Sequence, residues 1–511
     1  MLRFQPAAIS ILRQDKWPKY SLDEPSTVFS PRPPLRKLVV VIDHVLLNEL
    51  SRSSLSEGSL LSGLLSHPYI EVFRISDDGP PDSAEWCTTE HGTEYVPGWI
   101  VMGGPSSESG DIPLVQATKD GTSIVRRALI GNAPEVAEDD PTSIAYQERG
   151  EAGAAAQRAL DIRMLEAARE VGADLFITVR PYLHDLTWGF AREVAVGTPE
   201  QALPLVSLYL RRQGVFLTYR SPDGDATSSL NRGLFYWVAT RDLLPAGWRW
   251  FSACVQEGEG HGGLVYLGQS LFQRVQRALQ NRDAALWALI QPQNNDTADD
   301  ALGSLDNVLL GLMAAVDVTA RVAHRTLKLE GKEYSAGWQK ENWLKKVEKS
   351  APGLAAVVAP GSPEAHILEI LRLLRNSIHG AALQPLAVSS SPSRRDATYV
   401  GLPPADARKL LAAMNALGGQ TAFGVQVLLP DRVHADPGKL LDAIFGRTMR
   451  LLDQLMGETP VDQLPGASLP ESRDKPTDRG IFDDQFRESI RLQLGLEQAY
   501  SEKGRSIGES E

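Results

Sequence analysis

Residues 37–50, KLVVVIDHVLLNEL, set four consecutive apolar residues, Val39 to Ile42, directly before Asp43. The run is short, rich in β-branched residues and without alternation, as in a strand covered on both faces. It reads as a buried parallel strand that delivers an acid at its carboxyl end and leads into a helix. IEVFRIS at 70–76 reads as a second strand. Further on, EAGAAAQRALDIRMLEAAREVG (151–172) carries strong helix formers and ends in Gly172, a suitable C-cap. ADLFITVRPYL (173–183) follows as another buried strand. Thr198–Pro199–Glu200 then opens a helix, with Thr as N-cap and Pro in the first position. Strand–helix–strand–helix order predicts a parallel sheet covered by helices, an α/β domain over residues 36–214.

Outward from that domain the pattern changes. Residues 1–35 run into the proline-rich SPRPPLR and read as a lead-in arm. Residues 77–142, rich in Gly, Pro, Asp and Ser, read as an insertion with a small sheet of its own. Residues 215–270 read as a connector with one hairpin, whose aromatics in GLFYWVAT and GWRWF pack on a neighbour. The other reading, an aromatic platform for stacking bases, needs interleaved basic residues that this stretch has little of. Residues 271–456 read as amphipathic helices, an all-α bundle, broken at APG (351–353), APGSP (359–363) and SSSPSRRD (389–396). Residues 457–511 read as a charged, partly disordered tail.

The composition sets limits on function. At 511 residues the chain exceeds the roughly 250–300 at which one core stops growing, so two or three domains are expected. A net charge of −12 means that any contact with nucleic acid must use a local basic patch. Cys87 and Cys254 are the only cysteines, too few for a disulfide framework or a Cys-rich zinc site, and a cytoplasmic setting fits. MLRFQPAAISILRQDKWPKY has no uninterrupted apolar core, so no signal peptide is expected, and no window approaches the roughly 20 apolar residues of a membrane span. Gly-rich GGPSSESG and GEGHGG lack the Gly-Lys-Ser/Thr of a phosphate loop.

Two constellations can carry chemistry. Asp43 ends the first strand, Asp161 lies in the helix before ADLFIT, and Asp174 opens that strand. Carboxylates converging at strand ends near a switch in strand order can hold Mg2+ or Mn2+, which take oxygen ligands and activate water at a phosphodiester. The same acids could instead cap helices or face solvent. The second constellation is EAHILEILRLLRNSIHGAAL (364–383), where Arg372, Arg375, Asn376 and His379 interrupt an apolar pattern at helical spacing. Arg375 and His379 are i,i+4 neighbours, and Arg372 lies one turn before Arg375, so the three can share a face. Arginine binds phosphate bidentately and histidine moves a proton near neutral pH, a combination suited to metal-independent RNA cleavage. A buried polar cluster pinning helices together is the alternative.

The stretch from Asp161 through GADLFIT to VGTPEQAL, with VVVIDHVLLNEL before it, resembles a PIN-like nuclease domain. The resemblance implies a metal-dependent ribonuclease site of three or four acids. Asp43 matches the first acid and Asp161 the central one, with another at Glu148 or Glu151. An Asp usually follows the strand-ending Thr by two residues, whereas Thr178 is followed by Val179 and Arg180, a fixed cation in the metal pocket. Asp185 could compensate from the next turn. The 364–383 segment is similar to the HEPN superfamily of helical bundles, marked by an Arg, often Arg-Asn, and a His four to six residues beyond. Six residues separate Arg372 from His379; Arg375–Asn376 matches the Arg-Asn pair but lies three residues away, so the acting arginine stays open. The upstream helix with Asp317, Arg321 and His324 resembles the polar first helix of such bundles. This implies an RNase of stress response or phage defence, working as a homodimer through the helical domain with RNA as partner and no metal at the Arg–His site. A catalytically degenerate PIN–HEPN scaffold that senses a nucleotide or RNA, or only dimerises, is the other reading. Between 321 and 349, eight basic residues stand against four acidic ones, a local +4 that could hold RNA.

Overall fold

A computed structural model describes residues 37–44, 46, 56–76, 98–105, 113–118, 124–129, 154–184, 194–220, 226–257, 263–291, 293–380, 383–388, 397–429, 432–469 and 484–496. The lead-in arm, most of the 77–142 insertion, Glu148, Glu151, Asp185 and the end of the tail lie outside them, as does the side chain of His379.

The first strand, β1 (Leu38–Asp43), is buried along its whole length. It is the hinge of a seven-stranded sheet with β2 (Ile70–Ile75), β3 (Gly98–Pro105), β4 (Pro113–Thr118), β5 (Ile124–Leu129), β6 (Leu175–Ile177) and β7 (Ala195–Gly197). The order is β5-β4-β3-β2-β1-β6-β7. From β3 to β7 the neighbours are parallel; β4 and β5 extend the sheet as an antiparallel meander. The strands of the insertion therefore do not form a sheet of their own. Their unpaired edges complete hydrogen bonding by continuing the main sheet beyond β2.

Pleating sends alternate side chains of β1 to opposite faces. Leu38, Val40 and Ile42 join the core built with α1 (Ser56–Leu65), while Val39 and Val41 pack with Met164, Leu165 and Ala168 of α2 (Ala154–Glu170). Gly172 ends α2 with φ +75, the left-handed conformation glycine adopts without strain. After α3 (Pro181–His184) comes α4 (Pro199–Arg212), which packs on α1. Thr198 caps α4, Pro199 stands in its first turn, and the Gln201 side chain accepts from the Thr198 amide.

The face shared by α1 and α4 is continuous with the core of a mainly helical C-terminal region. A hairpin, β8 (Phe216–Arg220) and β9 (Ala226–Leu230), leads into it. GLFYWVAT is not part of that hairpin. It forms α5 (Arg232–Leu243), because the Asn231 side chain accepts from the Leu234 amide and starts a helix. GWRWF opens α6 (Gly247–Glu257). Phe216, Phe235 and Tyr236 pack on one another inside the core, and Trp250 is fully buried, so these rings are core and not a stacking platform.

Two long helices, α7 (Gly263–Ile290) and α8 (Asn295–Thr326), form an αα-hairpin along the region; a reciprocal Asn294–Thr297 cap sets its turn. By length and composition α8 is apolar enough to cross a membrane, but half of its most apolar window is buried inside the protein. Around the hairpin lie α9 (Glu341–Ser350), α10 (Pro352–Val357), α11 (Pro363–Gly380), α12 (Ala407–Ala416) and α13 (Pro437–Glu458). The region is not all-α. An antiparallel sheet ordered β10-β11-β13-β12 joins β10 (Gln384–Val388), β11 (Ala397–Gly401), β12 (Val425–Leu429) and β13 (Arg432–Ala435). The tail also contains structure. Its helix α14 (Asp484–Gln493) returns to the first half of the chain and packs on α1, α4, α5 and β8.

Candidate functional site

The order of the parallel strands reverses at β1, with β2 on one side and β6 on the other. In such sheets ligands bind beyond the carboxyl ends of the strands at this reversal. Asp43 ends β1 there, 3 % exposed, and Asp161, 1 % exposed, reaches the same place from the middle of α2. The two acids are therefore brought together, and Arg180, just past β6, stands between them. Its Nε donates to Asp43 Oδ2 at 2.7 Å and its Nη1 donates to Asp161 Oδ1 at 2.7 Å. The loop is braced from within: the Thr178 hydroxyl donates to Asp43 Oδ2 at 3.4 Å, and the Arg180 amide donates to that hydroxyl oxygen at 3.1 Å. Gln157, one turn before Asp161, adds a hydrogen bond to Asp161 Oδ1 at 2.9 Å.

Asp174 does not join them. It precedes β6, and its Oδ2 accepts from the backbone N–H of Val39 at 2.9 Å. That is the amino end of β1, four residues or about 13 Å of strand from Asp43. Its burial and its bond to the backbone make it a staple between β1 and the start of β6, which corrects its place among the metal ligands. Among the described residues, the side chains do not fit a Mg2+ or Mn2+ centre: a guanidinium stands between the two converging carboxylates, and Asp174 binds backbone at the other end of β1. Among the described residues, no three His, Cys, Asp or Glu side chains are grouped closely enough to hold a metal ion.

The second constellation lies on α11, which carries residues 372–380 on one helix. Its two arginines are in different situations. Arg372 forks onto Glu369 of its own helix, Nε to Oε2 at 2.8 Å, with a second bond from Nη2 to Oε1; the hydrogen bonds hold its proton more firmly than usual. Arg375 donates to the Asn376 side chain at 3.2 Å, and its charge lowers the pKa of Asp317 on α8. Asp317 is half-buried, and burial raises its pKa. The opposing influences are four cations from separate parts of the fold: Arg375 on α11, Arg321 on α8, Lys340 before α9 and Arg274 on α7. Asp317 thus lies in the positive field of four cations, two of which bond elsewhere: Arg274 to the Ser270 hydroxyl at 3.3 Å and Lys340 to the Ser335 carbonyl at 2.9 Å.

Of the polar residues expected on α8, His324 lies apart from this cluster. It is 4 % exposed, accepts from Trp343 Nε1 at 3.2 Å through Nδ1, and meets the Gly331 carbonyl at 3.3 Å through Nε2. That pair of partners suits the neutral ring with its proton on Nε2, an internal staple. Several cations of the 321–349 run are likewise tied locally: Lys345 to Glu341, Lys346 to the Glu330 carbonyl, Lys340 to the Ser335 carbonyl at 2.9 Å, and Arg325 to Glu333 at 3.6 Å. Arg274 and Lys340 could not be assigned to the cluster from spacing, because neither belongs to the Arg–His segment and only the packing of α7 and of the Lys340 loop on α8 brings them in. Burial pushes the Cys254 thiol up to about 12, so it is not a nucleophile at neutral pH. No protein-family model, curated protein or solved structure matches the chain.

Proposed function

We propose that the protein is a PIN-like and HEPN-like RNA-binding ribonuclease whose chemistry resides in the helical region and needs no metal. What carries this reading is the positive field of Arg375, Arg321, Lys340 and Arg274 at Asp317, beside the Arg–His segment of α11. Such an excess attracts a phosphodiester despite the −12 of the whole chain. In this reading Arg375 holds the scissile phosphate, since Arg372 is engaged by Glu369. His379 takes the proton of the ribose 2′-hydroxyl as its oxygen bonds to phosphorus; the bond from phosphorus to the 5′-oxygen breaks, and that oxygen takes a proton from water. The homodimer implied by the HEPN resemblance would set two such clusters together.

Binding of a labelled single-stranded RNA tests the site. Arg375→Ala and Arg321→Ala should each weaken binding roughly tenfold and lower the salt dependence by about one counterion, while Arg372→Ala changes little. Equal effects of all three substitutions would place the RNA elsewhere. Asp317 adds a pH signature. Burial raises its pKa, so it takes up a proton at a higher pH than an exposed aspartate; that removes a negative charge among these cations, and RNA binding should tighten as pH falls through its pKa. Asp317→Asn should bind about fivefold tighter at neutral pH, roughly 1 kcal/mol, and lose that part of the pH dependence. If Asp317→Asn binds RNA no better than wild type, the cluster is not the phosphate site.

The pairing of Arg372 and the guanidinium between Asp43 and Asp161 favour one second reading, a protein that binds RNA at the same cluster without cleaving it.

A further inference from the structure

We infer that Arg180 is a built-in cation: its guanidinium takes the place between Asp43 and Asp161 that a divalent ion would otherwise hold, and so makes this end of the sheet permanently metal-independent. The two acids converge at the strand-order reversal from different elements, β1 and α2, and each directs an oxygen at the same group from 2.7 Å. Both carboxylates are almost fully buried, and two such charges side by side need a cation between them. A divalent ion with oxygen ligands is one solution. The chain supplies another from β6, and it is a permanent one, since guanidinium does not lose its proton in proteins. Thr178 orients the loop so that the arginine returns to the cluster instead of extending into solvent, whereas its neighbour Val179 is 55 % exposed.

The charge differs in kind from that of a metal centre. A guanidinium, unlike a metal ion, offers no coordination position at which a water could be activated. Its role is to lock β1, α2 and the end of β6 together. This inference is independent of the RNA site in the helical region, because it concerns other residues and is read by other measurements.

The test uses the full-length chain and Mn2+ alone. Isothermal titration calorimetry and thermal unfolding are measured for wild type, Arg180→Ala and Arg180→Gln; the glutamine variant keeps a hydrogen-bonding side chain in the loop should alanine impair folding. Wild type should bind no Mn2+ in the millimolar range. Both variants should melt lower without metal, and Mn2+ should raise their Tm by about 3 °C or more through one bound ion. Adding Asp43→Asn and Asp161→Asn should abolish that rescue. Binding of Mn2+ by wild type that is lost on Asp43→Asn would overturn the inference, since the arginine must then step aside for metal. So would folded Arg180 variants that bind no Mn2+, because the acids would then not form a cation site.

Discussion

Arg211→Ala should destabilise the protein by about 3–5 kcal/mol, seen as an earlier first transition in a urea titration. The Arg211 guanidinium sits under α4 with its side chain 3 % exposed and forks onto Asp283 of α7, Nε to Oδ2 at 2.6 Å and Nη2 to Oδ1 at 3.0 Å. Its Nη1 donates to the Ser207 hydroxyl at 2.7 Å and to the Gln493 carbonyl at 2.8 Å. Tyr236 donates to the same Asp283 at 2.6 Å, and burial together with the Asp283 charge pushes its pKa well above the ordinary value. Removing the arginine leaves a buried carboxylate with one neutral donor and frees the carbonyl that ends α14. The effect should therefore spread to the C-terminal helix. Its residues 484–496 should become the first site of cleavage in limited proteolysis, because Gln493 also bridges Ser207 and the Leu217 carbonyl. A variant with apolar residues of similar volume at both Arg211 and Asp283 should recover much of the loss, since the pair is costly to break but not costly to replace. If Arg211→Ala unfolds with wild type and α14 stays protected, the clasp described here does not hold the two halves together.

Trp343→Ala should cost a similar amount, about 3–5 kcal/mol, and should weaken RNA binding as well. Trp343 lies on α9 at 5 % exposure, edge-on to Trp338 at 5.0 Å, while Trp338 Nε1 donates to Thr319 on α8 at 2.9 Å. Its loss opens a cavity and leaves the buried His324 Nδ1 without its donor. It also loosens the start of α9, where the Trp343 amide bonds the Lys340 carbonyl, and so the charge that Lys340 sets near Asp317. Stability and RNA affinity should therefore fall together, whereas Arg375→Ala should lower affinity alone. Retention of full RNA affinity in Trp343→Ala would separate Lys340 from the site.

The parts of this fold that sequence alone makes legible are those decided locally. The run Val39–Ile42, the cap at Thr198–Pro199 and the left-handed glycine at 172 each act within a few residues, and the structure bears them out. The aromatic stretch 234–240 misleads because its composition favours strands, while the cap at Asn231 decides for helix. The strands at 384–388, 397–401, 425–429 and 432–435 are four or five residues long and have no helix-like period to announce them. Their pairing is a long-range event. For the same reason nothing in residues 98–129 reveals that they extend the main sheet, or in 484–493 that they dock beneath α4. At the site, the departure at Arg180 is visible in the order Thr178–Val179–Arg180, but its bridging of Asp43 and Asp161 depends on three elements meeting. Asp174 is misleading for a complementary reason: nothing local tells an acid at the amino end of a strand that binds backbone from one that would bind an ion.

We propose RNA cleavage in the helical region without metal, and nuclease assays decide it. The most direct measurement is cleavage of a single-stranded RNA with and without EDTA, by wild type, His379→Ala and the Asp43→Asn/Asp161→Asn double variant, on size-separated fractions. Cleavage should persist in EDTA, persist in the double variant, and fall by about 100-fold or more in His379→Ala. Cleavage abolished by EDTA and by the double variant, yet intact in His379→Ala, would contradict it.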